Sequence, residues 1–129
     1  MIVLDTHALL WWALDPQQLS LTASNVLAEM ERKGGFASAI SVWELGVKVR
    51  RGKLELPLPI EEFAARIERG GVVKLLPVGT DIWLHSLSLA WDHTDPADRV
   101  IVSTATLLGV PLLTKDTKIH DFLGPSSVW

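Results

Sequence analysis

The chain has no cysteine. That excludes disulfides, thiolate metal ligands and a cysteine nucleophile together, and it suits a reducing compartment such as the cytoplasm. No apolar run approaches the roughly 20 residues that a membrane-spanning helix needs. No secretory leader is expected, because Asp5 and His7 interrupt the N-terminus and no basic stretch precedes the first apolar run. Positive charge is not in excess either: 12 lysines and arginines stand against 15 acids, a formal charge of −3. Proteins that live by nonspecific phosphate contacts are usually basic, so the balance argues against a plain nucleic-acid binder. It leaves room for an enzyme whose acids gather in one site. Glycine-rich phosphate loops are missing too. No GxGxxG follows the first apolar run and no GxxxxGK[ST] occurs, which argues against dinucleotide and P-loop sites.

What is present is a folding sequence. Of 129 residues, 48% are hydrophobic, enough for one domain over residues 1–129 with a real core. Six tryptophans are many for this length. Together with a positive mean hydropathy they suggest a hydrophobic partner surface, and a homodimer is expected.

Strand and helix patterns alternate. Residues 2–4 read as a buried strand that ends at Asp5 and turns into the helix-friendly run from Ala8 to Leu14. Asp15-Pro16 breaks the pattern. Ser20 opens a helix to about Lys33, which Gly34-Gly35 ends. A strand is expected over 36–40. Ser41 followed three residues later by Glu44 is a capping-box pattern, and the helix it opens runs to about Arg51. After the connector 56–59, a helix over 60–69 carries Phe63, Ala64 and Ile67 on one face. A strand over 72–76 follows, then a helix over 81–91, in which His85 reads as an ordinary packed or surface residue. Asp95 resembles an N-cap, Pro96 a first helical residue and Asp98 a third-position acid. That helix runs to Gly109. Residues 110–114 form a strand, with Lys115 and Asp116 just past it, and 127–129 a short edge strand. Such alternation indicates a parallel sheet covered on both faces by right-handed crossovers.

Each acid has a capping explanation by itself. Jointly they suggest more. Asp5, Glu44 and Asp116 follow three separate strands, and in a doubly wound sheet such positions come out on one edge, where ligands bind. Asp98 opens a helix able to lean into the same cleft. Carboxylates crowded together disfavour one another's ionisation. A hard divalent cation relieves this, and Mg²⁺ or Mn²⁺ prefers oxygen ligands. The chemistry implied is metal-dependent phosphodiester hydrolysis.

Four motifs in register, Asp5-Thr6-His7, Ser41-x-x-Glu44-Leu45, Asp95-Pro96-Ala97-Asp98-Arg99-x-Ile101 and Thr114-x-Asp116, resemble those of PIN-domain ribonucleases. The VapC-like toxins of toxin–antitoxin pairs match more closely, and Arg51-Gly52-Lys53-Leu54-x-Leu56-Pro57 looks like that subgroup. The resemblance spans essentially the whole chain. It implies a three-layer α/β/α sandwich on a parallel sheet of order 3-2-1-4-5. It also implies Mg²⁺ or Mn²⁺ held by Asp5, Glu44, Asp98 and Asp116. Asp5 and Asp98 would be direct ligands; Asp116 and Glu44 would bind a second ion or act through water. Thr6, Asp95, Arg99 and Thr114 are accessory candidates, although capping is a sufficient explanation for Asp95 and Arg99 has a neighbouring acid to pair with. Lys48, Arg50, Arg51, Lys53 and Lys115 are the candidates for meeting RNA. The resemblance further implies a VapB-like antitoxin whose C-terminal segment lies in a hydrophobic groove, for which Trp11, Trp12 and Trp43 are candidates.

Two other readings remain open. An aspartate-nucleophile phosphatase needs a second acid two residues after Asp5, where this chain has His7. A non-catalytic receiver-like or protein-interaction domain has no use for Glu44 and Asp98 beside Asp5 and Asp116.

Overall fold

Val3 and Leu4 form β1, the central strand of a five-stranded, all-parallel sheet in the computed structural model, which describes residues 1–129. Along the chain, β1 leads into α1 (Thr6–Leu14) and α2 (Leu21–Lys33), then β2 (Gly35–Ser38), α3 (Ile40–Arg50) and α4 (Ile60–Gly70). β3 (Val73–Leu76), α5 (Thr80–Ser88), α6 (Pro96–Leu108), β4 (Leu112–Leu113), α7 (Thr117–Leu123) and β5 (Ser127–Val128) complete it. The strand order is β3-β2-β1-β4-β5, the order that the resemblance to PIN-domain ribonucleases implies. The chain builds outward from β1 to β3, then crosses back to lay β4 on the other side of β1. Strand order therefore reverses between β1 and β4, and this is where a cleft opens beyond the carboxyl ends of the strands.

Side-chain alternation in the strands explains the layers. Ile2 and Leu4 face one core and Val3 the other. Leu113 and Leu112 divide in the same way. One core gathers Leu9, Leu27, Met30, Phe63 and Ile67 from α1, α2 and α4. The other gathers Val100, Ile101 and Ala105 from α6 with Ile119 from α7. A strand buried on both faces has no polar side, which is why β1 and β4 read as unbroken apolar runs. α6 stops at Gly109, whose φ of 67° is left-handed backbone that a side chain would strain.

Four local expectations are corrected. Ser41 does not cap a helix: α3 already starts at Ile40, with Ala39 in helical conformation before it. Ser41 lies inside the first turn, buried, and its hydroxyl bonds that of Thr6 at 2.9 Å. The strand before it correspondingly ends at Ser38, whose Oγ accepts the Ile40 N–H. α1 begins at Thr6, earlier than the apolar run suggests, because the Asp5 carboxylate accepts the Ala8 N–H and caps it there. α5 ends at Ser88 instead of reaching Trp91. Finally, α7 is an element that the sequence reading did not assign; Asp116 caps it by accepting the Lys118 N–H.

Candidate active site

Asp5 leaves the end of β1 and Thr114 the end of β4, side by side at the reversal of strand order, with the Asp5 N–H on the Leu113 carbonyl at 3.0 Å. Both are buried. The Thr114 hydroxyl donates to Asp5 Oδ2, and Thr114 Oγ1 in turn accepts the Asp116 N–H at 3.1 Å. Asp5 Oδ1 is occupied by the Ala8 N–H at 2.8 Å. One hydroxyl thus fixes Asp5 and the backbone of Asp116 together. His120 anchors the same turn from below, with its Nε2 2.5 Å from the Thr114 carbonyl and its Nδ1 2.6 Å from Ser127 Oγ.

A second group of acids faces this pair. Glu44, on the second turn of α3, lies with Asp95 and Asp98 at the start of α6, their carboxylate oxygens within 4.8 Å of one another. Asp95 does cap α6, accepting the Asp98 N–H at 2.9 Å. It is also part of the carboxylate group, so capping does not exhaust its environment. Asp5 and Asp116 stand outside this tight trio. Asp98 Oδ2 is 2.6 Å from His93 Nε2.

The two halves are electrostatically one site. Burial pushes the Asp5 carboxyl up from 3.8 to about 6; the Thr114 and Ala8 hydrogen bonds oppose this, and Asp116 and Glu44 add to it. Burial likewise pushes Asp98 up to about 6, opposed by His93 and reinforced by Asp95, Asp116 and Glu44. His7, in the first turn of α1, is pulled below its ordinary value by partial burial and then by Lys48, while Glu44, Asp98 and Asp116 act the other way. Asp116 and Glu44 thus act on both Asp5 and Asp98, which links the two halves. The donor set is all oxygen, which suits a hard divalent cation and gives a soft metal nothing to hold.

The remaining candidates divide. Arg99 pairs with no acid and does not point outward to a substrate. Its guanidinium donates to the carbonyls of Ser86, Leu89, Trp91 and His93 at 2.7–3.1 Å. It organises the loop between α5 and α6. Thr6 is turned to Ser41 and buried. Lys48, Arg51 and Lys53 line a cleft of about 270 Å³ beside Glu44 and Asp95, whereas Arg50 is exposed and lies outside that lining. Lys115 lies with its Nζ 5.7 Å from the Trp11 ring, and Trp11 packs between His7 and Trp129. Trp12 bonds Glu31, and Trp43 is exposed. His85 is packed, as expected, with Nδ1 2.8 Å from Ser103 Oγ.

Sequence reasoning missed His93 and His120 as parts of the site's support. His93 sits two residues before Asp95, the capping acid of α6, which is a readable position. His120 carried no such signal, because α7 was not recognised.

A PIN-domain family model matches residues 2–123. Ribonuclease VapC22 of Mycobacterium tuberculosis is 30% identical over 99% of this chain and 98% of its own length. Two solved structures share the fold: a toxin–antitoxin complex from Klebsiella pneumoniae and VapBC2 from Rickettsia felis bound to a fragment of its promoter DNA. The first has a TM-score of 0.63 at 22% identity, covering 100% of this chain and 97% of the other. The second has a TM-score of 0.66 at 15% identity, covering 99% and 96%.

Proposed function

The chain belongs to the PIN-domain family, and from that premise we propose that it is an endoribonuclease that uses Mg²⁺ or Mn²⁺ to hydrolyse RNA phosphodiester bonds, as the toxin of a VapBC-type pair. The observation that carries the reading is the trio of Glu44, Asp95 and Asp98, set beside the buried Asp5 at the edge where the strand order reverses. Residues 1–129 act as one PIN domain.

In this reading Asp98, with Glu44 and Asp95, holds a divalent cation, and Asp5 and Asp116 complete the set, either toward a second ion or by holding water. Those residues would hold the cation, which would supply Lewis-acid chemistry toward a phosphate and a more acidic water. The chain's own residues do the positioning. Thr114 keeps the Asp5 carboxylate and the Asp116 backbone in fixed relation. His93 orients the Asp98 carboxylate. Lys48, Arg51, Lys53 and Lys115 meet the anionic backbone of the RNA, with Arg50 at the outer edge. Asp98 and Asp5 would meet a cation in their charged forms, and because burial pushes both carboxyls up to about 6, protons compete with the cation as the pH falls.

The partners of this reading are RNA, a VapB-like antitoxin and a second copy of the chain, in the cytoplasm. No helix is long and apolar enough to cross a membrane. Expression in cells followed by mapping of RNA ends tests the function. The wild type should arrest growth and create new RNA ends at defined sites, and Asp5→Asn should do neither. Identical RNA ends in the two strains would overturn the reading.

A further inference from the structure

One cleft brings together features that metal binding alone does not use. It lies between α3 and the start of α6, measures about 270 Å³, and its walls include Trp43, Glu44, Lys48, Arg51, Lys53 and Asp95. Trp43 is 63% exposed. A large indole left in water beside a charged site costs hydrophobic free energy that nothing within the fold recovers. Lys48 belongs to the last turn of α3, and Arg51 and Lys53 follow directly. The same cleft therefore holds two of the three grouped carboxylates, three cations and an open aromatic side chain.

We propose that this cleft is the subsite for one unpaired nucleotide flanking the scissile phosphate, with its base stacked on Trp43 and its phosphate met by Lys48, Arg51 and Lys53. The inference rests on the ribonuclease reading and names the side chain that holds a base at its site. Each part of the cleft then has a use. An indole stacks on any base, because every base has a π-face. Three cations suit an anionic chain that must approach a carboxylate group, and Glu44 and Asp95 bring that chain to the cation site. In a duplex both faces of a base are covered by its neighbours, whereas loops and single strands splay their bases out.

The test is fluorescence anisotropy with a short, fluorescein-labelled single-stranded RNA of mixed sequence and with the same RNA as a duplex. Ca²⁺ replaces Mg²⁺ so that binding is read without turnover. Trp43→Ala should weaken single-strand binding roughly 5- to 150-fold, the range for one base–aromatic stack, and leave duplex binding unchanged. Trp43→Phe should restore most of the loss. Arg51→Ala and Lys53→Ala should each reduce the slope of log affinity against log salt by about 0.7. Unchanged single-strand affinity in Trp43→Ala overturns the inference, as does an equal loss on the duplex. So does poly-glutamate binding as tightly as the RNA with the same dependence on Trp43, which would assign the cleft to acidic peptides. Cleavage in Mg²⁺ is scored with the same proteins. Wild-type protein that cleaves RNA while Trp43→Ala keeps full affinity fails only this inference; wild-type protein that neither binds nor cleaves fails the ribonuclease reading with it.

Discussion

Thr114 does more at the site than its size suggests. Its buried hydroxyl donates to Asp5 and accepts from the Asp116 backbone, so it ties two strand ends into one rigid corner. Thr114→Val keeps the shape and removes both bonds. It should lower stability by about 1–3 kcal/mol, the cost of leaving buried polar partners unmatched. It should also lower kcat on the order of 100-fold, because a displaced carboxylate loses alignment. Thr114→Ser should restore both. Melting curves and initial rates on RNA check this, and a fully active, fully stable Thr114→Val would contradict it. The acids themselves were legible in the sequence, since Asp5, Asp98 and Asp116 each follow an apolar run or open a helix. Their partners were less so. Ser41 and Glu44 matched a capping box, yet the helix starts two residues sooner than a Ser41 cap requires, and Ser41 is spent on Thr6 across a separation of 35 residues. A local pattern carries no information about such a partner.

At the scale of the element, the loop between α5 and α6 is held by one side chain. The last carbonyls of a helix lack partners within it. In α5 and the chain beyond, Arg99 supplies them, reaching four carbonyls between Ser86 and His93. That is why α5 stops at Ser88 although apolar periodicity continues to Trp91. The loop delivers His93 to Asp98 and stacks Trp91 on Phe122 of α7, with ring centroids 4.7 Å apart. Arg99→Ala should therefore loosen α5 and the loop while leaving the sheet intact, at a cost on the order of 2–3 kcal/mol. Hydrogen exchange would show it as lost protection confined to residues 80–95. Uniform loss of protection across the sheet, or none, would contradict the role. Arg99→Lys should rescue little, since an ammonium cannot span carbonyls in a planar fork. Helices α2, α4 and α6 were readable from periodicity and caps. α7 was not, because seven residues give too short a period and its one clear signal, Asp116, was already claimed for the site.

For the whole molecule, the acids set how stability varies with pH. Asp5 and Asp98 have folded-state values raised from 3.8 to about 6. Their protonated forms are favoured in the native state, so their stabilisation is complete below about pH 4 and is lost as the pH rises through about 6. Glu29 and Glu62 are held low by ion pairs and act in the opposite sense, but they lie on the solvated surface, where such pairs count for little. Metal-free protein should thus melt at a lower temperature at pH 7 than at pH 5. Millimolar Mg²⁺ or Mn²⁺ should reverse the loss at pH 7.5 by binding the native state, and this gain should shrink as the pH falls through 6, where protons compete for the carboxylates. A metal-induced shift equal at pH 5 and pH 7.5 would contradict the site. The covered parallel sheet was legible because helices alternate with doubly buried strands, whereas the strand order came with the family resemblance. The grouping of Asp95 with Glu44 and Asp98 was not, since it depends on how α3 and α6 pack against each other across the sheet edge.

The central claim is that these carboxylates, with a divalent cation, cut RNA. The most direct measurement is cleavage of purified cellular RNA by purified protein in Mg²⁺ or Mn²⁺, with EDTA as the control and with Glu44→Gln and Asp98→Asn beside the wild type. Each variant keeps the shape of the side chain and removes its charge. The account predicts metal-dependent fragments from the wild type, none in EDTA, and a loss of orders of magnitude in rate in both folded variants. Cleavage that persists in EDTA, or that both variants perform at the wild-type rate, would contradict it.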